Sequence, residues 1–180
     1  MVIKMQFNKF VYFWSGVFSQ FYPCDIKNCL DLKFNCAEQF MMYHKAVAMK
    51  DIDTASKILQ ETSPPKQKAL GREVKNYNEE LWRRERINIV YLGNYYKFTQ
   101  NKELLDILLK TQGSLLVEAS PFDKIWGIGL DRHDAAKTSP DLWPGKNYLG
   151  KVLTLLREDL LNNVDPHQDV YERFKNMGWL

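Results

Sequence analysis

A carboxylate and an amine seven residues apart are the first residues in this chain with chemical potential. Glu38, Met42 and Lys45 fall at i, i+4 and i+7, so on a helix they share one stripe. In a cleft, such a pair can act as acid and base, or as an amine nucleophile beside a carboxylate. The plain alternative is that Glu38 closes a capping box with Asn35 and Lys45 is solvated. A second run carries Glu118, Asp123 and Trp126 and ends in Gly127-Ile128-Gly129. Carboxylates, an indole and a turn whose amides can approach phosphate are what a polar pocket with an aromatic wall needs. Against this, Ser120-Pro121 can open a short helix with Asp123 in its first turn, where an acid favours the helix dipole. A lone Gly-x-Gly also lacks the strand–helix context of a dinucleotide fingerprint.

Arg72, Lys75, Arg83, Arg84 and Arg86 bring positive charge, interleaved with Glu73, Glu79, Glu80 and Glu85. Mixed signs read as a solvated helix face or, at Arg72 and Lys75, as phosphate contacts. Trp82 is either core or a stacking surface. His44, His133 and His167 pair with no Cys or carboxylate at metal-ligand spacing, and no Ser-His-Asp or Cys-His arrangement is legible. These residues point away from metal and acyl-transfer chemistry.

The elements that must hold these groups are mostly helical. Phe10 to Phe21 reads as β and turn, broken at Ser15-Gly16, and Asp31 to Phe34 alternates like a short strand. Asn35 is expected to cap a helix running to about Met49, and Asp51 or Asp53 a second through Leu59. Ser63-Pro64 opens a third. A long helix covers Glu79 to Phe98 after Asn76 or Asn78. Another spans Asn101 to Lys110, with Gly113 past its end. Leu115 to Glu118 reads as a strand. Asn147 to Leu161 has leucines and a valine at helical spacing, and a last helix carries Val170, Phe174 and Met177. The stretch 114–147 reads as one long functional loop. The expected class is mainly α: a single compact helical domain with a small β element.

Composition agrees. The chain has 180 residues, 45% of them hydrophobic, with nine Gly and seven Pro, which excludes a disordered or collagen-like chain. A domain of this size buries roughly 70% of its unfolded surface and needs no staple. The net charge of +3 permits an anionic ligand without demanding nucleic acid. Cys24, Cys29 and Cys36 are odd in number and match no metal or redox spacing, so reduced thiols are expected. The aromatic run Phe10 to Trp14 lacks the aliphatic core of a signal peptide, and no stretch approaches the ~20 apolar residues of a membrane span. A soluble, cytoplasmic protein is the expectation.

The residues resemble the NADAR domain family (NAD- and ADP-ribose-associated), which includes the N-glycosidase of riboflavin-biosynthesis intermediates. The carrying segments are Phe18-Ser19-Gln20-Phe21-Tyr22-Pro23, Ala37-Glu38-Gln39-Phe40 through Lys45-Ala46, Ser63-Pro64, Gly71-Arg72 through Lys75-Asn76, and Glu80-Leu81-Trp82. Lys97-Phe98, Leu116 through Asp123, Trp126-Gly127-Ile128-Gly129, Trp143-Pro144-Gly145 and Asn147-x-Leu149-Gly150-Lys151 follow in order. Two departures stand out: Gln20 replaces the usual Asn of Phe-Ser-Asn-Phe, and Glu38-Gln39-Phe40 replaces Glu-His-Tyr.

The resemblance implies a NADAR-like domain over 1–162, with 163–180 a C-terminal helical extension packed on it. It implies hydrolysis of a ribose C1′–N bond in an ADP-ribosyl or phosphoribosyl substrate, either a small molecule or linked to nucleic acid, without a cofactor or metal and away from membranes. Glu38 becomes the central catalytic carboxylate, with Lys45 and Asp123 beside it. Trp82, Trp126, Gly127, Arg72, Lys75, Glu118 and Asn147 become substrate-binding candidates. The alternative is a module that holds ADP-ribose or a related nucleotide without turnover.

Overall fold

The computed structural model describes residues 7–180; residues 1–6, the start of the expected domain, lie outside the described residues. In chain order the elements are β1 (Phe10–Phe13), β2 (Ile26–Lys27), β3 (Lys33–Phe34), α1 (Ala37–Ala48), α2 (Ile52–Gln60), α3 (Pro64–Arg72), α4 (Glu79–Thr99), α5 (Lys102–Leu109), β4 (Leu115–Glu118), α6 (Arg132–Lys137), α7 (Tyr148–Leu161) and α8 (Val170–Asn176). Short 3-10 turns occupy Gly16–Phe18 and Pro140–Leu142. The fold is mainly α with little β, as the sequence predicts. It divides into two compact units: Gln20–Leu105, and the chain up to Ser19 together with Asp106–Leu180.

In the unit Gln20–Leu105, α1 packs on α2, α3 and α4. The antiparallel pair β2–β3 places Ile26 opposite Phe34, and these join Ala37 and Phe40 in a buried cluster. Most helix starts follow local signals. Asp51 Oδ1 accepts from Thr54 N, and Asn78 Oδ1 accepts from Leu81 N, each satisfying a donor that the first turn leaves unpaired. Pro64 opens α3 at a position where its missing N–H costs nothing.

In the other unit β1 and β4 run parallel, from Phe10 opposite Leu115 to Phe13 opposite Glu118. Helix α7 packs on β4. Arg157 of α7 is wholly buried. Its guanidinium donates to the carbonyls of Thr111 (2.6 Å) and Ser114 (2.7 Å) and pairs with Glu158, which is how a buried cation is tolerated. Arg173 of α8 grips Asp159 of α7 with two bonds of 2.8 and 2.6 Å. Phe174 meets Tyr148 edge-on.

The aromatic N-terminal run is strand from Phe10 to Phe13 and turns at Gly16 with φ 75°, the β-and-turn pattern expected of it. Two expectations change. The stretch 114–147 is not one loop: it holds β4, α6 and a 3-10 turn, with α6 capped by Asp131, whose Oδ1 accepts from Asp134 N. The residues 121–130 form turns rather than a helix around Asp123.

Candidate active site

Helix α1 carries the first candidates. Its N-cap is Cys36, not Asn35: the Cys36 sulfur accepts from Gln39 N at 3.4 Å. Burial pushes the Cys36 thiol up to about 11, so it stays protonated and donates to Gln67 Oε1 at 3.2 Å. The reciprocal bond of the cap comes from Gln39, whose Oε1 accepts from Asn35 N at 2.7 Å. The capping role expected of Glu38 therefore belongs to its neighbour. Glu38 sits one position earlier, only 2% exposed, and its N–H donates to the Gln20 carbonyl at 2.9 Å.

Two turns along the same stripe, Lys45 Nζ donates to the Gly71 carbonyl at 2.7 Å. It lies 4.8 Å from the Tyr77 ring centre and 5.7 Å from that of Trp82, cation–π range for both. Gly71 makes this possible, since a Cβ there would stand 2.0 Å from Met42 Sδ. Only glycine lets α3 come this close to α1. Burial lowers the Lys45 pKa, and the nearby Arg72 guanidinium adds to the effect; the carboxylates of Glu79 and Glu38 oppose it. Tyr77 donates its hydroxyl to Glu79. Burial and that bond push the phenol up to about 12.

The charged run from Arg72 to Arg86 is only partly a solvated face. Arg83 and Arg84 are exposed, with Arg83 paired to Glu79 at 3.1 Å. Trp82 and Arg86, one turn apart, are buried. Arg72 ends α3 and is exposed, as is Lys75, whose N–H donates to Asp51 Oδ2 at 2.8 Å. Glu38, Lys45, Arg72 and Trp82 thus meet in one unit. The sequence reading passed over Tyr77, although Asn76-Tyr77-Asn78 carries a signal. Asn76 adopts φ 55° and Asn78 caps α4, a turn that presents the ring between them.

The remaining candidates all fall in the other unit, and their hydrogen bonds are largely internal. Asp123 Oδ1 accepts from Ile125 N and Trp126 N, both at 2.8 Å. Asn147, at φ 54° before α7, spends its amide on β4: Oδ1 accepts from Glu118 N and Nδ2 donates to Leu116 O, both at 2.9 Å. Trp126 meets Tyr148 edge-on at 6.3 Å. Gly127 is tucked in so that a Cβ would lie 2.9 Å from the carbonyl oxygens of Asp123 and Glu118. The Ile128 and Gly129 amides donate to Glu118 O and Asp123 O, so neither is open to a phosphate. Asp131, His133 and Asp134, which sequence spacing did not suggest as a group, bring ligand atoms within 4.8 Å of one another at the exposed start of α6.

The family model for the NADAR domain matches residues 10–161. The chain belongs to the NADAR domain family. It is 41% identical over 167 residues to a protein named N-glycosidase from Acanthamoeba polyphaga mimivirus, covering 86% of this chain and 98% of that one. It is 43% identical over 168 residues to protein irg-1 of Caenorhabditis elegans, covering 84% and 79%. The NMR structure of the Escherichia coli protein YbiA superposes with a TM-score of 0.71 at 25% identity, over 92% of this chain and 93% of that one.

Both departures from the usual NADAR motifs have structural counterparts. The Gln39 amide donates to the carbonyls of Ile58 (2.9 Å), Leu59 (3.1 Å) and Glu61 (3.0 Å), stitching the start of α1 to the end of α2. Gln20 Oε1 accepts from Asn94 Nδ2 at 2.9 Å. Gln20 Nε2 is buried and has no partner among the described residues. An unsatisfied buried donor costs about 1–3 kcal/mol.

Proposed function

We propose that the chain is a hydrolase of N-glycosyl bonds that breaks a ribose C1′–N bond in an ADP-ribosyl or phosphoribosyl substrate, and that Glu38 and Lys45 carry the reaction. The observation that supports this most is the placement of Lys45: its amine is held at the Gly71 carbonyl beneath two aromatic rings, on the same helix stripe as a buried carboxylate. The relatives named N-glycosidase support the bond type.

As the C–N bond lengthens, positive charge grows on the sugar and negative charge on the leaving nitrogen. Glu38 stabilises the cationic C1′ or takes a proton from the attacking water. In the direct route the Lys45 ammonium protonates the leaving nitrogen, and water delivers hydroxide to C1′. In the covalent route the neutral Lys45 amine attacks C1′ of the ring-opened sugar. The base departs with a proton, and water then hydrolyses the Schiff base. Burial lowers the Lys45 pKa, which raises the share of neutral amine. Tyr77 and Trp82 wall the amine, while Arg72 and Lys75 are assigned the phosphates. Glu38 and Lys45 both belong to Gln20–Leu105. Asp123 is kept as the candidate second carboxylate or a holder of ribose hydroxyls, and Glu118, Trp126, Gly127 and Asn147 as substrate-holding candidates.

The test is incubation with ADP-ribosylated guanosine and with ribosylamino-pyrimidine phosphates, followed by mass spectrometry of products. Release of free base is expected. Stoichiometric binding with no release would overturn the hydrolase in favour of a binding module.

A further inference from the structure

Two rings face the Lys45 amine, and they are held in different ways. Trp82 lies within α4 and is only 7% exposed, so the core fixes it. Tyr77 is 47% exposed and sits in the turn before that helix. The turn is tied down on both sides of Tyr77: Lys75 N donates to Asp51 Oδ2 at 2.8 Å and Asn78 N to Met49 Sδ at 3.3 Å. Neither bond reaches the Tyr77 side chain. The ring is anchored at its far edge, where the hydroxyl donates to Glu79 Oε2. Glu79 Oε1 in turn accepts from Arg83 Nε at 3.1 Å. Burial and the Glu79 bond push the phenol up to about 12, so the hydroxyl keeps its proton, and its bond, throughout the neutral range.

The anchor has a consequence for the amine, which is half-buried and lies 4.8 Å from the ring centre. A half-exposed ring without its anchor is free to swing about χ1, and water then reaches Lys45 Nζ. The charged groups that face the amine are Glu79 of α4, Arg72 of α3 and Glu38 of α1. Arg86 and Arg83 lie beside the Tyr77–Glu79 pair. Glu79 therefore has two separable effects: its oxygen holds the ring, and its charge favours the ammonium.

We propose that Tyr77 is a positioning residue, anchored by Glu79, that keeps the Lys45 amine at the Gly71 carbonyl and screens it from water. This role rests on the proposed part of Lys45 in hydrolysis. Two variants separate the anchor from the charge. Tyr77→Phe keeps a ring and loses the anchor, whereas Glu79→Gln keeps an acceptor for the hydroxyl and loses the charge. Asn78 still caps α4 in both, so both should fold. Lys45 ionisation is read without turnover, from the pH dependence of its labelling by trace acetic anhydride, mapped by peptide mass spectrometry. The midpoint should move up in Tyr77→Phe, because water then stabilises the ammonium. It should move down in Glu79→Gln, because a favourable carboxylate is gone. In turnover, Tyr77→Phe should lower kcat roughly 10-fold with KM within about 2-fold. An unmoved midpoint or an unchanged kcat in Tyr77→Phe would overturn the proposal. So would midpoints that move the same way in both variants, or a rise in KM alone, which would make Tyr77 a substrate wall. An upward midpoint in Tyr77→Phe of a protein that releases no base would support the positioning and remove the hydrolase reading instead.

Discussion

Lys45 Nζ donates to the carbonyl oxygen of Gly71 across the α1–α3 crossing at 2.7 Å. A side chain at position 71 would collide with Met42 on the same stripe, so the packing of two helices and the position of one amine are the same fact. The carbonyl orients the amine without supplying the negative charge that would lock it as an ammonium.

The first prediction follows from that environment. If C1′ passes through a Schiff base, borohydride added during turnover should trap a covalent adduct on Lys45. Burial also pushes Lys97 and Lys151 down to about 8, so the adduct must be mapped by peptide mass spectrometry. An adduct on Lys45 that disappears in Lys45→Met is the expected result. An active preparation that traps nothing would leave direct water attack.

Glu38→Gln separates charge from shape. The α1 cap rests on Cys36 and Gln39, and Gln is isosteric with Glu, so the melting temperature should stay within a few degrees. Turnover should fall by roughly 100-fold or more, the scale of a lost acid–base group. Near-normal turnover would move the search for the catalytic carboxylate to Asp123 or Glu118.

Gln20→Asn shortens a side chain whose amide nitrogen is buried without a partner among the described residues and whose oxygen holds Asn94. Losing the Asn94 bond should cost about 1 kcal/mol. Substrate preference should shift more than stability. The readout is the ratio of kcat/KM between ADP-ribosylated guanosine and the ribosylamino-pyrimidine phosphates. An unchanged ratio would remove Gln20 from substrate choice.

His44 makes stability pH-dependent. Its ring packs against Phe34, Phe40 and Tyr43, and burial pushes its pKa down to about 4, against about 6.5 in the unfolded chain. The folded state therefore binds fewer protons between those values. The contribution is fully present above pH 6.5 and is lost as pH falls through the window to 4, at most about 3 kcal/mol. Urea midpoints measured from pH 7 to 4.5 should fall less steeply in His44→Phe than in the parent. Identical slopes would exonerate His44.

What the sequence determined by itself is local. Asp51 or Asp53, Ser63-Pro64, and Asn76 or Asn78 mark helix starts to within two residues, and the Leu149 to Leu160 spacing marks α7, because caps and periodicity act within a few residues. The stripe that joins Glu38 to Lys45 is of the same kind, fixed by helical spacing alone. What the tertiary structure decided depends on partners far along the chain. The cap of α1 moved from Asn35 to Cys36, where Gln39 reaches the end of α2 and Cys36 reaches Gln67. The pairing of β1 with β4 joins segments about a hundred residues apart. Lys45 is no surface ammonium because Gly71, Tyr77 and Trp82 converge on it from other elements. Desolvation is set by whatever atoms exclude water, and spacing along one helix carries no information about those.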